Sequence, residues 1–322
     1  MAGTLAGLTA HVEPGCVWDH RHVHSIETQG EQAEHPPDVL GRDALIQLAP
    51  GVWVLPDRDR TPHVPNVGII VGEHSTLVVE SGIGIANGER VLSIARELGG
   101  ERPMFVTATH FHPEHGYGVQ AFAGLATIIY NEPQRDELIE KQDFYTRKFS
   151  AITPELERAL RGVEYVPPDI VYADRVVLDL GGLVAELVDY GPAHTRGDQI
   201  VFLPRERILW TGDLVEERFF CIMPDPDTDA LRWISQLERL ELLDPAVVVP
   251  GHGALGDARL IAAARRSLCE ARDRVAALHA GGSSPAEIME LVEPELLERY
   301  PEWGNREWVT KIVEHLHAQI AA

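Results

Sequence analysis

The sequence has few cysteines, no long apolar run and no N-terminal targeting pattern. Its three cysteines, Cys16, Cys221 and Cys269, are far apart and show no CxxC spacing, so they form no disulfide framework and fit a reducing, cytoplasmic location. No stretch of about 18 apolar residues occurs, which excludes a membrane-spanning helix. The segment 1–10 lacks a basic region and a long apolar stretch, so we expect no signal peptide.

Basic residues are also scarce. Lysine and arginine together number 28, against 50 aspartates and glutamates, which gives a formal net charge of −22. A chain this acidic repels phosphate backbones and anionic membrane surfaces. We therefore expect a small-molecule substrate as its partner, and neither nucleic acid nor membrane.

The chain divides into three stretches by composition. Residues 1–43 form an arm rich in histidine, glutamate, glycine and proline, which we expect to lie along the surface. Residues 44–255 contain two blocks of β-type runs, each followed by helical spacing, and this pattern predicts a layered α/β architecture. Within them, 133–172 is predicted to be a helical insertion, and 256–322 a helical C-terminal extension. Three alternating histidines of the arm are interpreted as part of a solvated segment rather than as a metal site: His20, His22 and His24.

The most informative segment is Thr109–Gly116, with the sequence THFHPEHG. Side chains alternate along an extended chain, so His110 and His112 project to the same side. The turn that follows them can bring Glu114 and His115 round to the same point. Three imidazoles and a carboxylate that converge at a strand end are suitable ligands for a borderline-soft divalent cation such as Zn²⁺.

Three later strands also end in candidate metal ligands. Each places one histidine or aspartate directly after an apolar run and beside a glycine, which frees the backbone to turn. These residues are His194 in AHTRGD, Asp213 in TGD and His252 in PGHG. Loops held at the ends of strands by a rigid sheet are where binding residues concentrate, so the three are candidates for the same site.

The order of these motifs resembles the metallo-β-lactamase superfamily over roughly residues 45–253. The resemblance implies an α/β fold, a four-layer αβ/βα sandwich with two similar halves, followed here by a helical C-terminal extension. It also implies a dinuclear metal site at one edge, with two Zn²⁺ expected and Fe or Mn as alternatives. The first metal would be bound by His110, His112 and His194, the second by Glu114, His115 and His252, and Asp213 would bridge both and be the catalytic residue.

Two carboxylates depart from the family pattern. Glu114 stands where the family usually has aspartate, and its longer side chain can change the geometry or metal preference of the second site. Glu80 makes the same exchange at a strand end, where the resemblance implies a carboxylate that orients a ligand imidazole through a hydrogen bond. Asp213 is an aspartate rather than a cysteine or serine. In this respect the sequence resembles the glyoxalase II, thioesterase, lactonase and phosphodiesterase-like branches more than the true β-lactamases. Cys221 is not in register to bind a metal.

The resemblance implies a metal-dependent hydrolase in which a metal-bridging hydroxide cleaves an ester, lactone, thioester or related acyl bond. Three alternatives remain open: a mononuclear iron dioxygenase similar to the persulfide dioxygenases, a β-lactam hydrolase, and a non-catalytic binding protein. The insertion 133–172 is expected to be a substrate-selecting lid, and 256–322 to extend the pocket or to form a homodimer contact. Four aromatic residues are candidates for binding the substrate: Tyr117, Tyr145, Phe219 and Phe220.

Overall fold

The computed structural model describes residues 44–57 and 60–322. The predicted arm 1–43, with its alternating histidines, lies outside the described residues. Among the helices that are described, none is both long enough and apolar enough to cross a membrane.

The first half of the chain forms a seven-stranded mixed sheet in sequence order. Its first four strands pair antiparallel, and its last four pair parallel. The strands are β1 (Ile46–Ala49), β2 (Val52–Leu55), β3 (Val67–Val71), β4 (Thr76–Val79), β5 (Met104–Thr107), β6 (Thr127–Asn131) and β7 (Ile170–Tyr172). The helices of this half are α1 (Gly84–Gly99), the short α2 (Pro113–Gly116), α3 (Glu132–Ser150) and α4 (Pro154–Leu160).

The second half forms a five-stranded sheet in which only the last two strands pair parallel. Its strands are β8 (Arg175–Asp179), β9 (Val184–Asp189), β10 (Gln199–Leu203), β11 (Ile208–Gly212) and β12 (Val247–Pro250). Its helices are α5 (Ala230–Glu241), α6 (Ala258–Ala280), α7 (Pro285–Arg299) and α8 (Val309–Ala321).

Three hydrophobic clusters show how these elements are layered. The central cluster lies between the two sheets and joins Leu77 of β4 to Trp210 of β11. Val78, the next residue along β4, points to the opposite face and packs with Val91 of α1, because side chains alternate along a strand. The third cluster joins the outer face of the second sheet to α5–α8. The layers therefore follow one another as helices, sheet, sheet and helices. This is the predicted four-layer αβ/βα sandwich, and the prediction is confirmed.

The two helical predictions fit the structure to different extents. The insertion 133–172 is helical only as far as Leu160, and Ile170–Tyr172 forms β7, where the Asp169 N–H donates to the carbonyl of Ile128. A strand of three residues is too short to give a periodic hydrophobic signal, which is why the sequence did not reveal it. The stretch 256–322 does form α6–α8, and these helices pack in the same cluster as the second sheet.

Candidate metal centre

The seven predicted ligands lie in two adjoining groups at one edge of the sheets. Within each group the candidate ligand atoms are all within 4.8 Å of one another. The groups are His110, His112, His194 and Asp213, and Glu114, His115 and His252. Six of the seven side chains are buried and His252 is half-buried. The loops after β5, β9, β11 and β12 and the short helix α2 therefore bring together residues that are up to 142 positions apart in the chain.

The first group is built around three ring nitrogens. Nδ1 of His112 lies 3.0 Å from Nε2 of His110 and 3.1 Å from Nε2 of His194. Oδ2 of Asp213 lies 3.8 Å and 3.7 Å from those two Nε2 atoms. Nitrogens bound tetrahedrally at zinc–nitrogen distances of 2.0–2.1 Å would be about 3.3 Å apart. The observed spacing fits a zinc-sized ion at the centre of this group.

The outer nitrogens of two imidazoles are held by backbone carbonyls. Nδ1 of His194 donates to the carbonyl of Ile222, and Nδ1 of His252 donates to the carbonyl of Val64, both at 2.8 Å. A neutral imidazole that donates from one nitrogen presents a lone pair on the other. The inward Nε2 atoms of both rings are therefore oriented as metal ligands.

Asp213 connects the two groups through its two carboxylate oxygens. Oδ2 faces the first group, whereas Oδ1 lies 3.3 Å from Nε2 of His115 and 3.6 Å from Nε2 of His252. A carboxylate that presents one oxygen to each group has the geometry of a bridging ligand.

Burial sets the protonation of the first group. It lowers the pKa of His110 well below the ordinary value, lowers that of His112 to about 3, and lowers that of His194. These imidazoles are therefore neutral at pH 7, which is the form that binds metal.

The second group carries charge despite its burial. For Glu114, burial opposes ionisation, but a hydrogen bond from His63 and the neighbouring imidazoles lower the pKa to about 2. Burial also opposes a charge on His115, yet the carboxylates of Asp213 and Glu80 raise its pKa well above the ordinary value. A cation that binds here would displace the proton from His115, so metal affinity in this group falls as the pH decreases.

Several inward atoms of the site have no hydrogen-bond partner among the described residues. They include Oε2 of Glu114, Nε2 of His115 and Oδ1 of Asp213, all of which are buried. Buried polar atoms without partners are costly, and folded proteins rarely keep them. Two carboxylate oxygens and an imidazole nitrogen left in this state are suited to a divalent cation, so the residues present fit the metal pair that the fold family implies.

Glu80 lies directly behind the second group. Its Oε1 is 3.3 Å from the outer Nδ1 of His115, and its Oε2 accepts the Thr109 N–H at 3.2 Å. The residue follows β4 in the left-handed backbone region, with φ of 73°, which turns the carboxylate inward. This is a position from which a carboxylate can orient a ligand imidazole, the role that the resemblance implies for Glu80.

Replacing Glu80 with Gln is expected to lower metal affinity at the second group 10- to 100-fold, because the amide cannot hold His115 with a charge-assisted hydrogen bond. Competitive titration with a chromophoric chelator measures the two binding steps, and only one of the two should weaken. Glu89→Gln in α1 is the matched control, since Glu89 is exposed. Unchanged affinity in Glu80→Gln would show that the contact with His115 plays no part in metal binding.

The aromatic candidates occupy different environments. The Tyr145 ring packs on His112 with their centroids 4.8 Å apart, and its hydroxyl donates to Oδ1 of Asp225 at 2.7 Å. Tyr117 is buried, and its hydroxyl donates to the carbonyl of Gln142 at 3.4 Å. Of these two tyrosines, Tyr145 is the one that directly contacts a candidate metal ligand.

The two phenylalanines lie further along the chain. The Phe219 ring lies under the guanidinium of Arg60, 4.6 Å from its centroid. Phe220 is 1% exposed and packs against Tyr300 and Trp303. Phe220 therefore packs in the hydrophobic core beside the C-terminal stretch, and its role in substrate binding stays a prediction.

An acidic cluster outside the two ligand groups was not foreseen from the sequence. Glu137, Asp225 and Asp227 surround the ammonium of Lys141 at 2.9, 2.8 and 3.0 Å. The lysine supplies the positive charge, so this cluster is an ion-pair network that joins α3 to the loop before α5. No motif marks these residues, because the network forms only when two distant segments meet.

Comparison with known proteins agrees with this geometry. The profile of the metallo-beta-lactamase superfamily matches residues 60–252. The acyl-coenzyme A thioesterase MBLAC2 of Bos taurus is 25% identical over 206 residues, which cover 58% of this chain and 72% of the relative. A linear primary-alkylsulfatase from a Pseudomonas species is 19% identical over 263 residues, which cover 70% of this chain and 49% of that enzyme.

Two solved structures share the fold. A metallo-beta-lactamase from Pontibacter korlensis has a TM-score of 0.57 and 20% identity, and the match covers 70% of this chain and 98% of that protein. The sec-alkylsulfatase Pisa1 from a Pseudomonas species has a TM-score of 0.66 and 16% identity. The match covers 86% of this chain and 50% of that protein. The relatives found by sequence are hydrolases, which confirms the predicted enzyme class. From the profile match over most of its length, the chain belongs to the metallo-β-lactamase superfamily.

Proposed function

We propose that the chain is a two-zinc hydrolase that cleaves an ester, lactone or thioester bond of a small molecule. The observation that carries this proposal is the orientation of Asp213, which presents one oxygen to each group of imidazoles. One carboxylate shared by two ligand groups suits two ions at a fixed spacing, whereas a single-iron site would leave the second group without a role.

A bound metal and the side chains around it would each contribute a different part of the hydrolytic chemistry. Zinc, when bound, lowers the pKa of water to about 7 and polarises a carbonyl oxygen. The neutral rings of the first group would bind the ion without adding charge, and Asp213, whose pKa the neighbouring imidazoles hold well below its ordinary value, stays ionised and supplies negative charge. Burial of these side chains keeps the reacting atoms away from bulk solvent, which strengthens each electrostatic contact.

Thioesters are the acyl class that the comparisons favour. The relative named as an acyl-coenzyme A thioesterase is matched over 72% of its length. Asp213, an aspartate rather than a cysteine, supports the same branch over β-lactam hydrolysis. The net charge of −22 supports a small acyl compound over nucleic acid as substrate.

The zinc-loaded protein is expected to hydrolyse short acyl thioesters and aryl esters, and to contain about two zinc ions per chain by elemental analysis. Removal of metal with a chelator should abolish turnover and lower the melting temperature by several degrees, because a tightly bound ion stabilises the folded state by mass action. Addition of zinc should restore both.

The same measurements distinguish the alternatives. One iron per chain with oxygen uptake would support a dioxygenase, and fast turnover of nitrocefin would support a β-lactamase. Absence of turnover for thioesters, esters and lactones in fully zinc-loaded protein would refute the proposal.

A further inference from the structure

Lys148 lies close to the metal centre at the end of α3. Its side chain is half-buried, and the ammonium lies 4.8 Å from the centroid of the Tyr145 ring and 5.9 Å from that of Phe144. The Tyr145 ring is itself 4.8 Å from the imidazole of His112. One aromatic ring therefore connects this ammonium to a candidate metal ligand.

The charge of Lys148 is not neutralised within the described part of the chain. No carboxylate there lies within 4.0 Å of its ammonium, which makes cation–π contacts with the Phe144 and Tyr145 rings. The other cations around the site are paired: Lys141 with three carboxylates, Arg60 with Glu217, and Arg196 with Glu140 among others. Unlike these three side chains, Lys148 has no carboxylate partner among the described residues.

An unpaired ammonium in this position is unexpected on energetic grounds. The chain carries 50 acidic residues, so counter-ions are abundant. Burial lowers the pKa of Lys148, while the more distant carboxylates of Asp225 and Glu114 act in the opposite direction. A partly desolvated charge without a partner costs free energy, and a bound anion would recover it.

We infer that Lys148 binds an oxyanion carried by the substrate, next to the acyl bond that is cleaved at the metal centre. The inference rests on the proposed function and narrows its substrate class to acyl compounds that bear a second, anionic group. Cation–π contacts with Phe144 and Tyr145 hold the ammonium in place without neutralising it. The anionic group can be on the acyl chain or on the leaving group, since Lys148 would bind an oxyanion in either position.

Three aryl esters of equal acyl length separate these cases. 4-Nitrophenyl butyrate is neutral, mono(4-nitrophenyl) succinate carries its carboxylate on the acyl chain, and 3-butyryloxy-4-nitrobenzoate carries it on the leaving group. Lys148→Met is expected to raise KM about tenfold for one of the two anionic esters, the change in affinity that corresponds to a charged hydrogen bond. Kinetics with the neutral ester should change less than about twofold, and Lys148→Arg should retain most of the preference for the anionic ester.

Arg147→Met is the matched control. Arg147 is exposed, lies in the same last turn of α3 and carries the same charge. If Arg147→Met and Lys148→Met change the kinetics equally, the effect is general electrostatics at the end of the helix and the inference is wrong. Equal changes with neutral and anionic esters in Lys148→Met would also overturn it.

Binding measured without turnover separates this inference from the proposed function. Calorimetric titration of the zinc-loaded protein with succinate and with butyrate compares a dianion with a monoanion of the same length. Lys148→Met should weaken succinate binding about tenfold more than butyrate binding. If none of the esters is hydrolysed, the proposed function fails, and the calorimetric difference alone supports or overturns the role of Lys148.

Discussion

Asp213→Ala is expected to reduce kcat by about 10³-fold or more and to disturb metal loading at both groups. The carboxylate faces His110 and His194 through Oδ2, and His115 and His252 through Oδ1. Its removal therefore takes one ligand from each group, and two bound cations would repel each other without the shared negative charge between them. Steady-state kinetics together with elemental analysis of the same preparation measures both effects.

Two further variants sharpen the test of Asp213. Asp213→Asn keeps the shape and one oxygen, so it should retain more metal than Asp213→Ala while still losing most of the activity. Asp143→Ala removes a carboxylate at an exposed position of α3 and should behave like the unchanged protein. A kcat unaffected by Asp213→Ala would contradict the bridging role directly.

Gly251→Ala is expected to have the second-largest effect, although no chemical group is removed. A Cβ at this position would overlap Oδ1 of Asp213 and would lie 2.8 Å from the backbone carbon of Gly212. Real Cβ atoms do not approach other atoms so closely, so either the carboxylate or the loop after β11 must move. A displacement of about 1 Å in a catalytic group commonly lowers the rate about 100-fold. We expect a loss of this order in kcat, with weaker zinc binding measured by titration.

Gly116→Ala is the control for this substitution. Gly116 ends α2 beside His115, yet an added Cβ would meet nothing closer than 3.6 Å, which is ordinary van der Waals contact. The backbone φ at neither glycine requires the left-handed region. Both changes add one methyl group near the site, so a similar loss in both would mean that Gly251 has no special relation to Asp213.

The fold and the candidate ligands were predictable from sequence for a physical reason. Strand β11 is buried along its whole length and β12 along nearly all of it, so both are largely apolar runs, and Asp213 and His252 follow them closely. The three residues of β7 were missed because a short run gives no periodic signal. The packing of Phe220 against Tyr300 and Trp303 could not be predicted, because those two residues lie about 80 positions away in the chain.

Other features of the site leave no trace in the residue types. The carbonyls of Val64 and Ile222 orient two candidate ligand rings, but any residue has a carbonyl, so side-chain identity carries no signal. The unpaired state of Lys148 is likewise a property of its surroundings. Contacts between distant segments determine both, and a single sequence does not reveal them.

The two ligand groups draw on both halves of the chain. His110 and His112 follow a strand of the seven-stranded sheet, whereas Asp213 and His252 follow strands of the five-stranded sheet. Ions bound at these groups would link the two halves of the chain, so part of their binding free energy would stabilise the contact between the halves. Removal of metal would therefore weaken the contact between the two halves, and the protein would be cleaved faster by proteases when metal is scarce.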